Sequence, residues 1–134
     1  MQYRELIERA RQQLNPRTLS RYGADAGSVA CALRTAGGNI YTGVCIDTPC
    51  SMGFCAEHNA IGTMVTGGES HIEVIVAVDS HHTIIPPCGR CREFIYQVDD
   101  NNRDTLVVVS EDDVRSLREL LPAHWFENFR KKEV

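Results

Sequence analysis

The chain has 134 residues, with 14 Lys+Arg against 18 Asp+Glu and a formal net charge of −4. That balance gives no electrostatic footprint for a duplex or other polyanion, and a chain this long buries a core without disulfide staples. No run approaches the ~18 apolar residues of a membrane span, and Met1-Gln2-Tyr3-Arg4-Glu5-Leu6 is not the apolar stretch of an export signal. The expectation is one domain over residues 1–134, cytoplasmic, with neither a membrane nor a polynucleotide as partner.

Tyr3, Leu6, Ile7, Ala10 and Leu14 recur at helical spacing and Asn15-Pro16 closes the pattern, which predicts an amphipathic helix over residues 2–14. Ser28 to Leu33 and Asn39 to Ile46 are β-leaning runs around Ala36-Gly37-Gly38, the pattern of a hairpin with a glycine turn. After a small-residue loop from Thr48 to Gly53, Ala56, Ala60, Ile61, Met64 and Val65 fit a helix over 55–66 that stops at Gly67-Gly68. Ile72 to Val78 reads as a buried strand. Pro86-Pro87 ends the next loop, and Cys88, Cys91, Phe94, Ile95 and Val98 share a helical face before Asp99-Asp100-Asn101-Asn102 breaks it. Thr105 to Val109 is a further strand. Val114, Leu117, Leu120 and Leu121 predict one more short helix ending at Pro122, followed by the aromatic tail Trp125, Phe126 and Phe129 and a solvated Arg130-Lys131-Lys132-Glu133. Alternating strands and helices predict right-handed crossovers between parallel strands with helices over the sheet, the first hairpin making the sheet mixed.

Six cysteines without an export signal point to reduced thiols used for metal binding or catalysis. In such a fold the helices at 55–66 and 88–98 begin along the same carboxyl edge of the sheet. That brings Cys55, Cys88 and Cys91 together, with helix N-termini favouring thiolate. Three thiolates suit Zn²⁺, and a site with three protein ligands leaves the fourth position for water. Glu57, two residues after Cys55, is placed to move a proton without being a ligand, so the expected chemistry is hydrolytic.

Cys55-Ala56-Glu57, then 25 residues between Ile61 and Pro87, then Pro87-Cys88-Gly89-Arg90-Cys91, resembles the zinc signature of the cytidine deaminase superfamily. Weaker similarities run from about Ser28 to Pro122. They include Ser28-Val29-Ala30-Cys31-Ala32-Leu33, Ile40-Tyr41-Thr42-Gly43 and Arg118-Glu119-Leu120-Leu121-Pro122, and they resemble the small tetrameric cytidine deaminases and the blasticidin-S deaminases among them. The resemblance implies a three-layer α/β/α fold on a mixed, mostly parallel five-stranded sheet. It implies a homotetramer with one zinc per subunit on Cys55, Cys88 and Cys91. Glu57 would take a proton from water and deliver it toward ring N3 and the leaving amino group, turning a cytosine ring into uracil plus ammonia.

By the same resemblance Cys45, Asp47, Ala56 and the C-terminal Trp125 or Phe126 are candidate substrate contacts. Cys45-Ile46-Asp47 stands where typical members carry Asn-x-Glu to hold ribose hydroxyls, and Gly27 where a phenylalanine closes the pocket. His58 replaces an arginine that offsets the charge of the zinc centre, a task that Arg90 or Arg92 could share. The substrate expected is a small cytosine nucleoside or close analogue; a blasticidin-S-type deaminase is the alternative, and a zinc-stabilised module without turnover a third. Plainer readings also exist for single residues. Cys31 reads as a small buried apolar side chain, Asp47 also fits a solvated turn, and the aromatic tail also fits a cap on the core. Cys88 and Cys91 alone would fit a redox dithiol, which leaves Cys55-Ala56-Glu57 unused, and Cys45 or Cys50 could close a structural Cys₄ site.

Overall fold

The computed structural model describes residues 3–129. The first helix, α1 (Arg4–Gln13), is followed by strands β1 (Arg17–Ser20), β2 (Ala24–Thr35) and β3 (Ile40–Asp47). Next come α2 (Ala56–Thr66), β4 (Ile72–Asp79), β5 (Ile84–Ile85) and α3 (Gly89–Gln97), then β6 (Leu106–Ser110), β7 (Asp113–Ser116) and a single-turn α4 (Leu117–Leu120). Arg130-Lys131-Lys132-Glu133, expected as a solvated tail, lies outside the described residues.

Among the described residues all strands join one sheet of seven. The registers show how the expected five relate to it. Residues 30–34 of β2 pair with β3 on one edge and with β4 on the other, and β4 pairs with β6, which pairs with β7. The long order is therefore β3-β2-β4-β6-β7. The short β1 pairs beside the start of β2, and β5 beside the end of β4.

The sheet is mixed, but the expectation of mostly parallel strands is corrected: β4 with β6 is parallel, and every other pairing is antiparallel. The cause is β2. As the first arm of the hairpin it lies between β3 and β4, so the crossover through α2 joins two strands that share a direction without touching. The expected helix over Val114 to Leu121 is also replaced. Asp113–Ser116 turns back antiparallel on β6, leaving Val114 39% exposed, and only Leu117–Leu120 is helical, with Ser116 and Glu119 forming a capping box.

Alternation along the strands sorts the core into two layers. Cys31, Leu33, Ile75, Ala77 and Val107 face Ala60, Ile61 and Met64 of α2 and Ile95 of α3. Ala30, Ala32, Val74, Val76 and Val78 face Leu6, Ile7 and Ala10 of α1. Three α/β/α layers result, as expected, while Val65, read as part of the apolar face of its helix, is 50% exposed.

Candidate active site

Two successive crossovers bring the site together. Cys55 caps the start of α2 and Cys88 the start of α3, each with extended backbone (φ −69°, ψ 159° and φ −68°, ψ 169°). Cys91 lies in the first turn of α3 and is buried. Close seating of α2 depends on Gly43 of β3: a Cβ there would come within 2.3 Å of the Ala60 nitrogen. The Asn59 Nδ2 then donates to the Val44 carbonyl at 3.0 Å, fixing the helix along the strand.

The sulfurs converge as the sequence predicts. Cys55 Sγ lies 3.7 Å from Cys88 Sγ, and Cys88 Sγ 3.5 Å from Cys91 Sγ. Disulfide sulfurs would be about 2 Å apart, and all six cysteines are free. A tetrahedral zinc with bonds of about 2.3 Å holds neighbouring thiolates about 3.8 Å apart, so the spacing fits the metal. His58 joins the group, its Nδ1 3.4 Å from Cys91 Sγ, and the metal-binding atoms of Cys55, His58 and Cys91 all lie within 4.8 Å of one another. Phe94, one turn along α3 from Cys91, stacks on the His58 ring at 4.3 Å and 9°.

The electrostatics call for a cation. Burial, then the charge of Glu57, then the neighbouring sulfurs hold the Cys91 thiol far above its ordinary range. Burial also raises Cys55. For Cys88 burial is outweighed by hydrogen bonds from the backbone of Cys91 and Arg90 and from the thiols of Cys91 and Cys55, and its pKa falls. Burial thus works against thiolate at Cys55 and Cys91, and a cation bound among the sulfurs would favour it. Burial, reinforced by the charge of Arg90, lowers the His58 pKa, which favours a neutral ring beside Cys91.

Glu57 is 5% exposed, and burial raises its pKa against the opposing hydrogen bonds from its own backbone and Cys91. It faces an open cleft of about 280 Å³, whose lining includes Cys45, Asp47, Cys55, Ala56, Glu57 and Cys88. Ser28, Val29, Ile85 and Pro86 complete the lining. None of these four was singled out as a site residue, although Pro86-Pro87 marked the loop. Cys45 turns its sulfur to the Ser28 hydroxyl and the Val29 N–H, both at 3.3 Å, and to Asp47 at 3.7 Å. Cys50 is exposed.

Other expected contacts fall elsewhere. Trp125 and Phe126 do not line this cleft; they cluster with Phe129, and Trp125 is 63% exposed with its backbone N–H donating to the Glu93 carboxylate at 2.8 Å. Arg92 donates to the carbonyls of Pro87 at 2.9 Å and Leu120 at 3.2 Å, bracing the loop before Cys88. Arg90 is exposed and acts on His58 through its charge.

An open α/β sheet with cysteines and a buried carboxyl at two helix starts defines a metal-dependent hydrolase site. The profile of the cytidine and deoxycytidylate deaminase zinc-binding region matches residues 5–108, and the chain belongs to that family. It is thereby a zinc-dependent hydrolytic deaminase. Over 136 residues it is 29% identical to the blasticidin-S deaminase of Bacillus cereus, covering 92% of each chain. A probable cytidine deaminase of Dictyostelium discoideum is 37% identical over 68 residues, 49% of this chain and 46% of that one. The fold is similar to that of the cytidine deaminase from Mycobacterium tuberculosis, with a TM-score of 0.77 at 22% identity, over 93% of this chain and 98% of the other. No described helix is long and apolar enough to cross a membrane.

Proposed function

We propose that the chain converts the cytosine ring of a small nucleoside, cytidine or deoxycytidine or a close analogue, to the uracil form plus ammonia. The observation that carries this reading is Glu57, buried yet open to the cleft, beside three sulfurs at zinc-ligand spacing. Cys55, Cys88 and Cys91 would hold the ion. His58 would then serve as a donor to Cys91, its Nδ1 lying 3.4 Å from that sulfur, and not as a fourth ligand. A zinc ion held there supplies Lewis acidity that lowers the pKa of water toward neutrality.

Glu57 does the proton work. Its carboxylate would accept one proton from the attacking water and pass it to ring N3, then take the second from the oxygen now on C4 and pass it to the departing amino group, which leaves as ammonia while C4 keeps the oxygen. Ala56 and the Ser28–Val29 backbone would wall the base, with Asp47 and Cys45 on the side that takes the rest of the substrate. By family resemblance the active form would be a homotetramer, with Trp125 or Phe126 covering the base in a neighbouring subunit's cleft, and the compartment would be the cytoplasm. The six free cysteines fit a reducing compartment, and size in solution tests the assembly.

A second reading, a blasticidin-S-type deaminase, is favoured by full-length similarity to such an enzyme and by Cys45 and Asp47 where ribose-holding Asn and Glu are typical. Ammonia release from zinc-loaded protein against cytidine, deoxycytidine, cytosine and blasticidin S separates the two. Glu57→Gln is expected to lower turnover by about 10²–10⁴-fold with zinc retained. Equal loss of zinc and fold would make Glu57 structural and overturn the assignment.

A further inference from the structure

The starts of α2 and α3 carry the same pattern. A cysteine of the metal group is followed three residues later by an aromatic ring, Cys55 by His58 at α2 and Cys91 by Phe94 at α3. Residues three apart share a helix face, and the two rings meet between the helices with centroids 4.3 Å apart and planes 9° from parallel. The helices therefore reach across to each other: Phe94 of α3 covers the ring of α2, and that ring sets its Nδ1 3.4 Å from the Cys91 sulfur of α3. The contact to sulfur is long and by itself a weak tether for a ring whose rotation about Cβ–Cγ is broad. Both rings are half-buried, so the core does not fix them on every side. The stack supplies what is missing. It confines His58 to one plane, in which only two orientations remain, and one of them presents Nδ1 to Cys91. Less rotational freedom is then lost when the hydrogen bond forms.

We propose that Phe94 is a positioning residue of the metal site: stacked on His58, it holds the Nδ1–H of that ring on the Cys91 sulfur and so slows the release of zinc. This rests on the reading above in which Cys55, Cys88 and Cys91 hold the ion, and it adds a residue that does not line the cleft. A thiolate binds metal only while it is deprotonated. An N–H donated to the sulfur occupies a lone pair that a proton would otherwise take, and it fixes the direction in which the remaining pairs face the ion. Phe94 contributes nothing to that bond directly; it contributes the plane in which the bond can form.

The test follows zinc released from zinc-loaded protein into an excess of a chromophoric chelator. Phe94→Leu keeps apolar bulk but loses the flat ring, and release is expected about 3–10-fold faster than from wild type. Phe94→Tyr keeps the stack and should stay within about 2-fold of wild type. His58→Ala should release zinc about 10–100-fold faster. The double variant Phe94→Leu/His58→Ala should match His58→Ala within about 2-fold, because Phe94 acts only through His58. In nitrogen NMR of zinc-loaded protein with isotope-labelled histidine, His58 should carry its proton on Nδ1. Release from Phe94→Leu no faster than from wild type, Phe94→Tyr no better than Phe94→Leu, a full Phe94→Leu effect that persists without His58, or a His58 Nδ1 bound to the metal overturns the proposal. Cys91→Ser separates the underlying reading: if it holds zinc as tightly as wild type, the cysteines are not the ligands. If it loses zinc while Phe94→Leu behaves as wild type, only the role of Phe94 falls.

Discussion

Asp99 and Asn102 fasten the end of α3 to the start of β4. Asn102, fully buried, donates from Nδ2 to the carbonyls of Ser70 at 3.0 Å and Ile95 at 2.8 Å and accepts the Ile72 N–H at 2.8 Å. Asp99 accepts the Ser70 hydroxyl at 2.7 Å and the Asn101 N–H at 2.8 Å. Burial opposes its charge, but these hydrogen bonds and the charge of His71 hold its pKa below the ordinary 3.8. A carboxyl with a depressed folded-state pKa stabilises above its unfolded value and loses that contribution as pH falls through the folded one. Wild type should therefore exceed Asp99→Asn in urea stability at pH 5–7, and the gap should close below about pH 3.8. A gap constant from pH 7 to pH 3 would refute this. In the sequence Asp99-Asp100-Asn101-Asn102 shows only where a helix breaks. Nothing there separates buried Asn102 from exposed Asn101, because the difference lies in three carbonyl and amide groups that only the fold brings near.

At the scale of elements, Gly27 has a role that resemblance alone does not show. Between Ala26 and Ala30 the β2–β3 register shifts, so β2 carries extra residues as a bulge. Gly27 has φ +85°, its carbonyl accepts the Asn15 N–H at 3.0 Å, and a Cβ there would come within 2.1 Å of the Asn15 oxygen. The glycine thus answers to the backbone and the returning chain after α1, and not merely to room in the pocket. Gly27→Ala is expected to lose about 2 kcal/mol or more in chemical unfolding, and an unchanged midpoint would remove the argument. Helices and strands with dense apolar periodicity were readable: α1, α2, α3, β3, β4 and β6 stand close to their expected spans. The pieces that were not readable are short or polar. Arg17–Ser20 and Ile84–Ile85 exist because they fill leftover ladder positions beside β2 and β4. Asp113–Ser116 pairs with the free edge of β6 although Val114 and Leu117 have helical spacing.

Over the whole molecule, the cysteine group joins two helix starts far apart in the chain, so metal binding and folding are linked. The group itself was legible because its residue types and spacing are local to each helix start. Which residues wall the cleft was less so, since Ser28 and Ile85 enter it only through strand pairing. Removing zinc with a chelator should lower the melting temperature, by the equivalent of about 4 kcal/mol where free zinc had stood 1,000-fold above its Kd. It should also open Cys55 and Cys88 to a thiol reagent while Cys31 and Cys91, both fully buried, stay protected. Thiol titration that is blind to chelation would place the metal elsewhere.

The position of β2 between β3 and β4 sets an order of events when the chain folds. Its hairpin with β3 closes around a short turn, pairing Arg34 with Ile40, and hairpins of this kind form in about 1–10 μs. Its other edge must wait for residues as distant as Asp79, which pairs with Val29, and contacts of such span put folding in the millisecond-to-second range. During that wait Ala30-Cys31-Ala32-Leu33, uncharged and apolar, offers an unpaired ladder to any other chain in the same state. Refolding yield should therefore fall with protein concentration long before native stability is at issue, and the nascent chain would depend on how soon β4 follows the hairpin off the ribosome.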